Sequence, residues 1–147
     1  MVVDYRYDLC YEHMKPYDFG TWCQSCNSRR FQQNFINWTS GNHNIDEFIQ
    51  NAQLKAKNYK QVLEWIDYDR FENVEYFAKS KFGNVYKAFW EDGYINCWDS
   101  LNHQWIRSKD NKIDFQVVLK YLNSPRDIVE VLSEVRYIYI LIILTFL

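Results

Sequence analysis

Three of the four cysteines in this 147-residue chain gather with one histidine, as Cys10-x2-His13 and then Cys23-x2-Cys26. Two-residue spacing lets both side chains of a pair reach one ion from a tight turn, and three thiolates with an imidazole complete the tetrahedral shell that zinc prefers. A structural zinc held by Cys10, His13, Cys23 and Cys26 is therefore expected, with every position filled by protein and none open for catalysis. The loop from Met14 to Trp22 is short for a zinc ribbon, so a metal-free cluster of small buried thiols and a disulfide stand as alternatives. Met1 to Leu9 carries Asp4, Arg6 and Asp8 where a signal peptide would have an apolar core. That points to a reducing, cytoplasmic compartment, where a disulfide is least favoured. Cys97 lies far from the cluster in an aromatic segment and reads as a small buried hydrophobe.

Helices are predicted to hold the cluster. Asn27 or Ser28 can cap a first helix that carries Phe31 and Phe35 on one face at i,i+4. A turn follows over Trp38-Thr39-Ser40-Gly41-Asn42. A second helix is predicted after Asn44, with Ile45, Phe48, Ile49 and Ala52 as its apolar stripe and Asp46 and Glu47 in its first turn. The two helices are expected to pack on each other and on the cysteine cluster, forming a first part over residues 1–60.

From Val74 the pattern changes to strands. Val74 to Ala78 and Asn84 to Trp90 flank Lys79-Ser80-Lys81-Phe82-Gly83. Tyr94 to Trp98 and His103 to Arg107, joined by Asp99-Ser100-Leu101-Asn102, predict an aromatic hairpin that covers a sheet edge or offers a docking surface. Phe115 to Tyr121 is a further strand with Lys120 near its end. Ser124 as N-cap, Pro125 at the first helical position and Asp127 three residues after the cap then predict a helix. Its stripe is Ile128, Val131, Leu132 and Val135, with Glu134 beside it.

Phe82-Gly83-Asn84-Val85-Tyr86-Lys87-Ala88, then Val117-Val118-Leu119-Lys120, then Glu134 in Val131 to Val135 resemble, in that order, the front half of a protein kinase amino-terminal lobe. The resemblance covers about residues 73–135. It implies an α+β fold in which a small helical, zinc-binding amino-terminal unit precedes an incomplete kinase lobe at 61–136, an antiparallel sheet plus one helix. The kinase pattern G-x-G-x-x-G-x-V falls on Ala78, Ser80, Gly83 and Val85, so only the last of its three glycines is present. By resemblance Ala78, Ser80, Gly83, Val85 and Lys120 face ATP, and Glu134 positions Lys120. The parent activity is ATP- and magnesium-dependent phosphorylation of protein hydroxyls, and the Cys-rich segment more loosely resembles the amino-terminal extensions of one group of kinase-like proteins. Asp18-Phe19-Gly20 spells the kinase metal-binding tripeptide but precedes the glycine-rich segment, which makes a turn the expectation there. Tyr68-Asp69-Arg70 likewise does not match a catalytic loop in order or position, so no catalytic base is assigned and an isolated chain without kinase activity is expected.

Composition limits the remaining classes. A length of 147 residues is short of a two-lobed kinase, and a formal net charge of -2 gives no electrostatic case for nucleic acid or an anionic membrane surface. The 6 Trp, 12 Tyr and 10 Phe let short segments bury large apolar areas. Residues 137–147 form an almost wholly apolar tail, which as a helix spans roughly 16 Å, about half the hydrocarbon core of a bilayer. A truncated chain end, a core-packing helical extension and membrane association are the readings of that tail, with a stable membrane anchor disfavoured. The rival to a kinase-like fragment is a non-catalytic interaction module, in which the zinc knuckle and the aromatic hairpin bind a protein partner.

Overall fold

The computed structural model describes residues 10, 12, 21–108, 116–124, 130 and 140–143, the last four by their backbone. It is an α+β protein whose described elements are helices α1 (Gln24–Asn34) and α2 (His43–Lys55) and strands β1 (Phe71–Ser80), β2 (Gly83–Trp90), β3 (Ile95–Asp99), β4 (Gln104–Arg107), β5 (Gln116–Tyr121) and β6 (Ile140–Ile143). The chain divides into two compact units, one made of Met1–Trp65 with Ile95–Arg107 and the other of Ile66–Tyr94 with Ser108–Leu147.

In the first unit, α2 begins at His43, two residues earlier than the start expected after Asn44, because Asn42 caps it. The Asn42 side chain accepts hydrogen bonds from the Asn44 and Ile45 amides at 3.0 and 3.3 Å, satisfying two of the free N–H groups of the first turn. Asp46 adds an acceptor to the preceding loop, taking the Ser40 N–H at 2.8 Å, and Ile45 and Ile49 bury the apolar stripe. Helix α1 starts earlier than the expected caps. Cys23 is the N-cap, in an extended conformation, and Asn27 and Ser28 lie inside the helix with other partners. Asn27 is buried and accepts from Arg30 Nη1 at 2.7 Å, while the Ser28 hydroxyl donates to the Leu54 carbonyl at 2.7 Å and ties α1 to the last turn of α2. Gln24 Nε2 reaches the same carbonyl at 2.9 Å.

The antiparallel β3–β4 hairpin belongs to this unit, whereas the sequence pattern ended the first part at residue 60. Aromatic packing explains the difference. Trp105 of β4 stacks on Phe31 of α1 at 4.8 Å between ring centroids and on Trp22 at 6.1 Å, in a core shared with Ala56, Val62 and Ile95. The Trp22 indole donates to the Ala56 carbonyl at 3.0 Å, and Arg107 clamps Glu64 through two contacts of 2.6 and 3.2 Å. Cys97, predicted buried, is half-buried in β3.

The second unit is a four-stranded sheet in the order β1-β2-β5-β6. Strands β1, β2 and β5 are antiparallel neighbours, and β6 runs parallel to β5, with Val118 opposite Ile140 and Tyr121 opposite Ile143. The 140–143 stretch of the tail is thus a strand, where the sequence reading weighed a helix. β-Branched Ile140, Ile142 and Ile143 favour the extended form, and the open edge of β5 supplies the hydrogen-bonding partner that an isolated apolar run lacks. A parallel pair requires a long crossover, and Glu130, within that crossover, is helical. Pro125 and the stripe from Ile128 to Val135 lie outside the described residues. One sheet face carries the core of Phe71, Ala88, Trp90, Val117 and Leu119, with Val74 and Tyr86 packed on it. β1 forms one side of the sheet and is interrupted by two bulges, the first around Asn73, whose φ of 51° is one that asparagine adopts more readily than most residues. Tyr68–Arg70 is a single 3-10 turn, and Arg70 is held by Asp92 at 2.5 and 2.9 Å. No helix among the described residues is long and apolar enough to cross a membrane.

Candidate metal centre and strand half-site

The thiols of Cys10, Cys23 and Cys26 come together inside the first unit, all buried and all within 4.8 Å of one another. The Sγ atoms of Cys10 and Cys26 are 3.6 Å apart. Four ligands placed tetrahedrally around zinc at about 2.3 Å stand about 3.8 Å from each other. The separation therefore matches ligands sharing one ion and is far from the ~2.05 Å of a disulfide. The four described cysteines are free thiols. His13, expected as the fourth ligand, lies outside the described residues. Among the described residues this is the one group of three or more His, Cys, Asp or Glu side chains close enough to hold an ion.

Local structure explains how the pair Cys23-x2-Cys26 converges. Cys23 is the N-cap of α1 and Cys26 lies in its first turn, so both sulfurs stand at the positive end of the helix dipole, which favours thiolate. Burial opposes ionisation of Cys23, but the Cys26 backbone, the Ser25 hydroxyl at 3.6 Å and the Cys26 and Cys10 thiols together bring its pKa below the ordinary value. Burial, reinforced by the neighbouring Cys23 and Cys10 sulfurs, pushes the Cys26 thiol up to about 12. Three thiolates this close repel one another, and a divalent cation is the group that relieves the repulsion. These three thiols can hold one metal ion.

In the sheet unit, three of the residues matched to the kinase pattern fall into a row across three strands. Ala78 of β1 is opposite Val85 of β2, and Val85 is opposite Lys120 of β5. Directly opposed residues project from the same face, here the face away from Leu119 and Ala88. Ser80 and Gly83 close the β1–β2 hairpin as partners across a two-residue turn of Lys81 and Phe82, and the Ser80 hydroxyl donates to the Gly83 carbonyl at 2.9 Å. Gly83 has φ 144°, and a Cβ built on it would lie 1.9 Å from the carbonyl oxygen of Tyr121. The Asn123 N–H donates to the Phe82 carbonyl at 2.9 Å beside this crossing. Glycine is thus required at 83 by the approach of the chain leaving β5, a role that the sequence pattern did not disclose. Lys120 has no carboxylate partner among the described residues, and Glu134 lies outside them.

No protein-family model matches the chain, and no curated protein or solved structure matches it. The fold and site define an α+β protein with a cluster of three buried thiols able to hold a metal ion.

Proposed function

We propose that the chain is kinase-like, retains part of a nucleotide site and carries out no phosphoryl transfer. The row Ala78, Val85 and Lys120 carries this reading, because it sets a small residue, a branched apolar residue and a cation side by side on one face of three antiparallel strands. A base can lie against part-exposed Ala78 while the ammonium meets phosphate, and Val85, 7% exposed, packs within the fold beside them. The hairpin turn supports the second half of the reading. Gly83 is taken up by the Tyr121 carbonyl and Ser80 by the Gly83 carbonyl, so the turn's two smallest residues serve their own chain. Near Lys120 the described residues include no cluster of carboxylates to hold magnesium. ATP, when bound, supplies the transferable phosphoryl group; Lys120 binds it, and Glu134 is assigned to orient Lys120. Titration of the full chain with magnesium-ATP tests the reading. Weak binding that Lys120→Met removes, with no labelled phosphate transferred to casein or to the chain itself, is expected. Binding indifferent to Lys120→Met overturns the half-site, and transfer abolished by Lys120→Met overturns the lack of activity.

A second reading, a zinc-held interaction module, is favoured by the three-thiol cluster with its 3.6 Å sulfur separation. Free buried thiols accord with a reducing, cytoplasmic setting. Elemental analysis of protein purified without added metal tests it: one zinc per chain, lost in Cys23→Ser, is expected, and folded metal-free protein removes it.

A further inference from the structure

Beside the thiol cluster, a cleft of about 810 Å³ opens between α1 and the β3–β4 hairpin, within the size range of ligand pockets. Its chemistry is uneven. Arg30 is fully engaged: its guanidinium lies 4.4 Å over the Trp98 ring, donates to Asn27, and pairs with Glu12. Arg29, one residue earlier, is exposed in the same cleft and has no carboxylate partner among the described residues. With Glu12 cancelling Arg30, the lining carries a net charge of about +1, too little for a nucleic-acid backbone, which takes several cations to neutralise successive phosphates. The rest of the polar lining is mostly carboxamide, from Gln33, Gln104, Asn34 and Asn37, with Ser100 and His103 beside them, and Asn37 already donates to Asn34 at 2.8 Å. Carboxamides both donate and accept, which matches the alternating N–H and C=O of an extended peptide. Two nearly naked aliphatic side chains adjoin the lining: Ile36, 90% exposed, lies between Asn34 and Asn37 in sequence, and Leu101, 91% exposed, follows Ser100.

We propose that this cleft binds an extended segment of a partner protein carrying one acidic side chain, which pairs with Arg29, next to aliphatic side chains, which cover Ile36 and Leu101. The proposal rests on the interaction-module reading and names its partner chemistry. Cys26 lines the cleft and Arg30 ties α1 to Glu12, two residues from Cys10, so metal loading and the shape of the cleft share the same residues.

The test is selection of phage-displayed random seven-residue peptides on the zinc-loaded full chain, followed by affinity measurement on synthetic copies of the enriched peptides. Enrichment of peptides with a single Asp or Glu beside an aliphatic residue is expected, with affinity weakened at least tenfold by Arg29→Glu and severalfold by Ile36→Ser. Both side chains are exposed, so circular dichroism of either variant should match the parent. No enrichment, peptides without an acid, equal binding by Arg29→Glu, or preference for a single-stranded oligonucleotide each overturns the proposal. Arg29-dependent peptide binding that survives chelation of the metal keeps the cleft and sinks the zinc-held module. Zinc binding without Arg29-dependent peptides does the reverse.

Discussion

Replacing Gly83 by alanine separates a glycine kept for its own chain from one kept for a ligand. The new Cβ would lie 1.9 Å from the Tyr121 carbonyl oxygen and 3.1 Å from the carbonyl carbon, both backbone atoms that cannot rotate away. Restoring ordinary contact moves the end of β5 by about 1.5 Å. That displacement stretches the 2.9 Å bond from the Asn123 amide to the Phe82 carbonyl, a loss of about 1 kcal/mol. Alanine at a φ of 144° adds strain of about 1–3 kcal/mol, and forcing an extra carbon into the crossing adds a similar amount. Together they come to about 3–7 kcal/mol, a large part of the ~5–15 kcal/mol that holds a typical domain folded. Hydrogen exchange followed by NMR reads this directly. Amide protection in β2 and β5 should fall about 1,000-fold, while α2 keeps its protection. Protection in the sheet within tenfold of the parent would refute the crossing argument. If such a variant also lost ATP binding, glycine at 83 would be serving the nucleotide alone.

Other expectations are briefer. Leu119 is fully buried in the sheet core, so Leu119→Ala should cost about 2–5 kcal/mol in urea unfolding; a cost under about 1 kcal/mol would contradict its central place. Zinc uptake must displace the proton that burial and neighbouring sulfurs hold on Cys26, so apparent zinc affinity should rise from about pH 6 to pH 8, and an affinity independent of pH argues against thiolate ligation. Although burial opposes it, hydrogen bonds from Ser40 and Thr39 keep the Asp46 carboxyl below its ordinary pKa. Its stabilising effect is therefore present above about pH 3.9 and fades as pH falls through the lower folded value, and Asp46→Asn should flatten the acid-side loss of helical ellipticity. Arg107→Ala removes both contacts to Glu64, whose side chain is 15% exposed, and should lower the melting temperature more than Arg29→Ala does, because Arg29 is exposed and has no carboxylate partner among the described residues.

Some of this was legible in the residues alone because local rules decided it. Ile45 and Ile49 repeat at helical spacing, and the two-residue spacing of Cys23 and Cys26 anticipated the convergence of sulfurs. The strands expected over Val74 to Ala78, Asn84 to Trp90 and Phe115 to Tyr121 correspond to β1, β2 and β5. What escaped depends on distant chain. The Trp98 and Trp105 pattern announces a hairpin but not that Trp105 will stack on Phe31, seventy-four positions earlier. Asn27 and Ser28 have capping chemistry, yet their partners at Arg30 and Leu54 draw them into the helix, and Cys23 takes the cap. The apolar tail has no periodicity to choose strand over helix; the free edge of β5 chooses. Gly83 looked like a loop glycine because nothing local reveals the approach of Tyr121.

The path of the chain between the two units also governs how the protein can be made and cut. Each unit is assembled from two separated stretches, with passages at residues 65–66, 94–95 and 107–108. During synthesis the helical unit must therefore wait for β4 to emerge from the ribosome before Trp22 and Phe31 gain their stacking partner, and by then β1 and β2 are already outside. A fragment ending near residue 60, the natural place to clone a cysteine-rich module from sequence, would leave those two rings uncovered and tend to aggregate. The shortest stretch that holds the described elements of the helical unit runs through Arg107 and carries the β1–β2 hairpin with it.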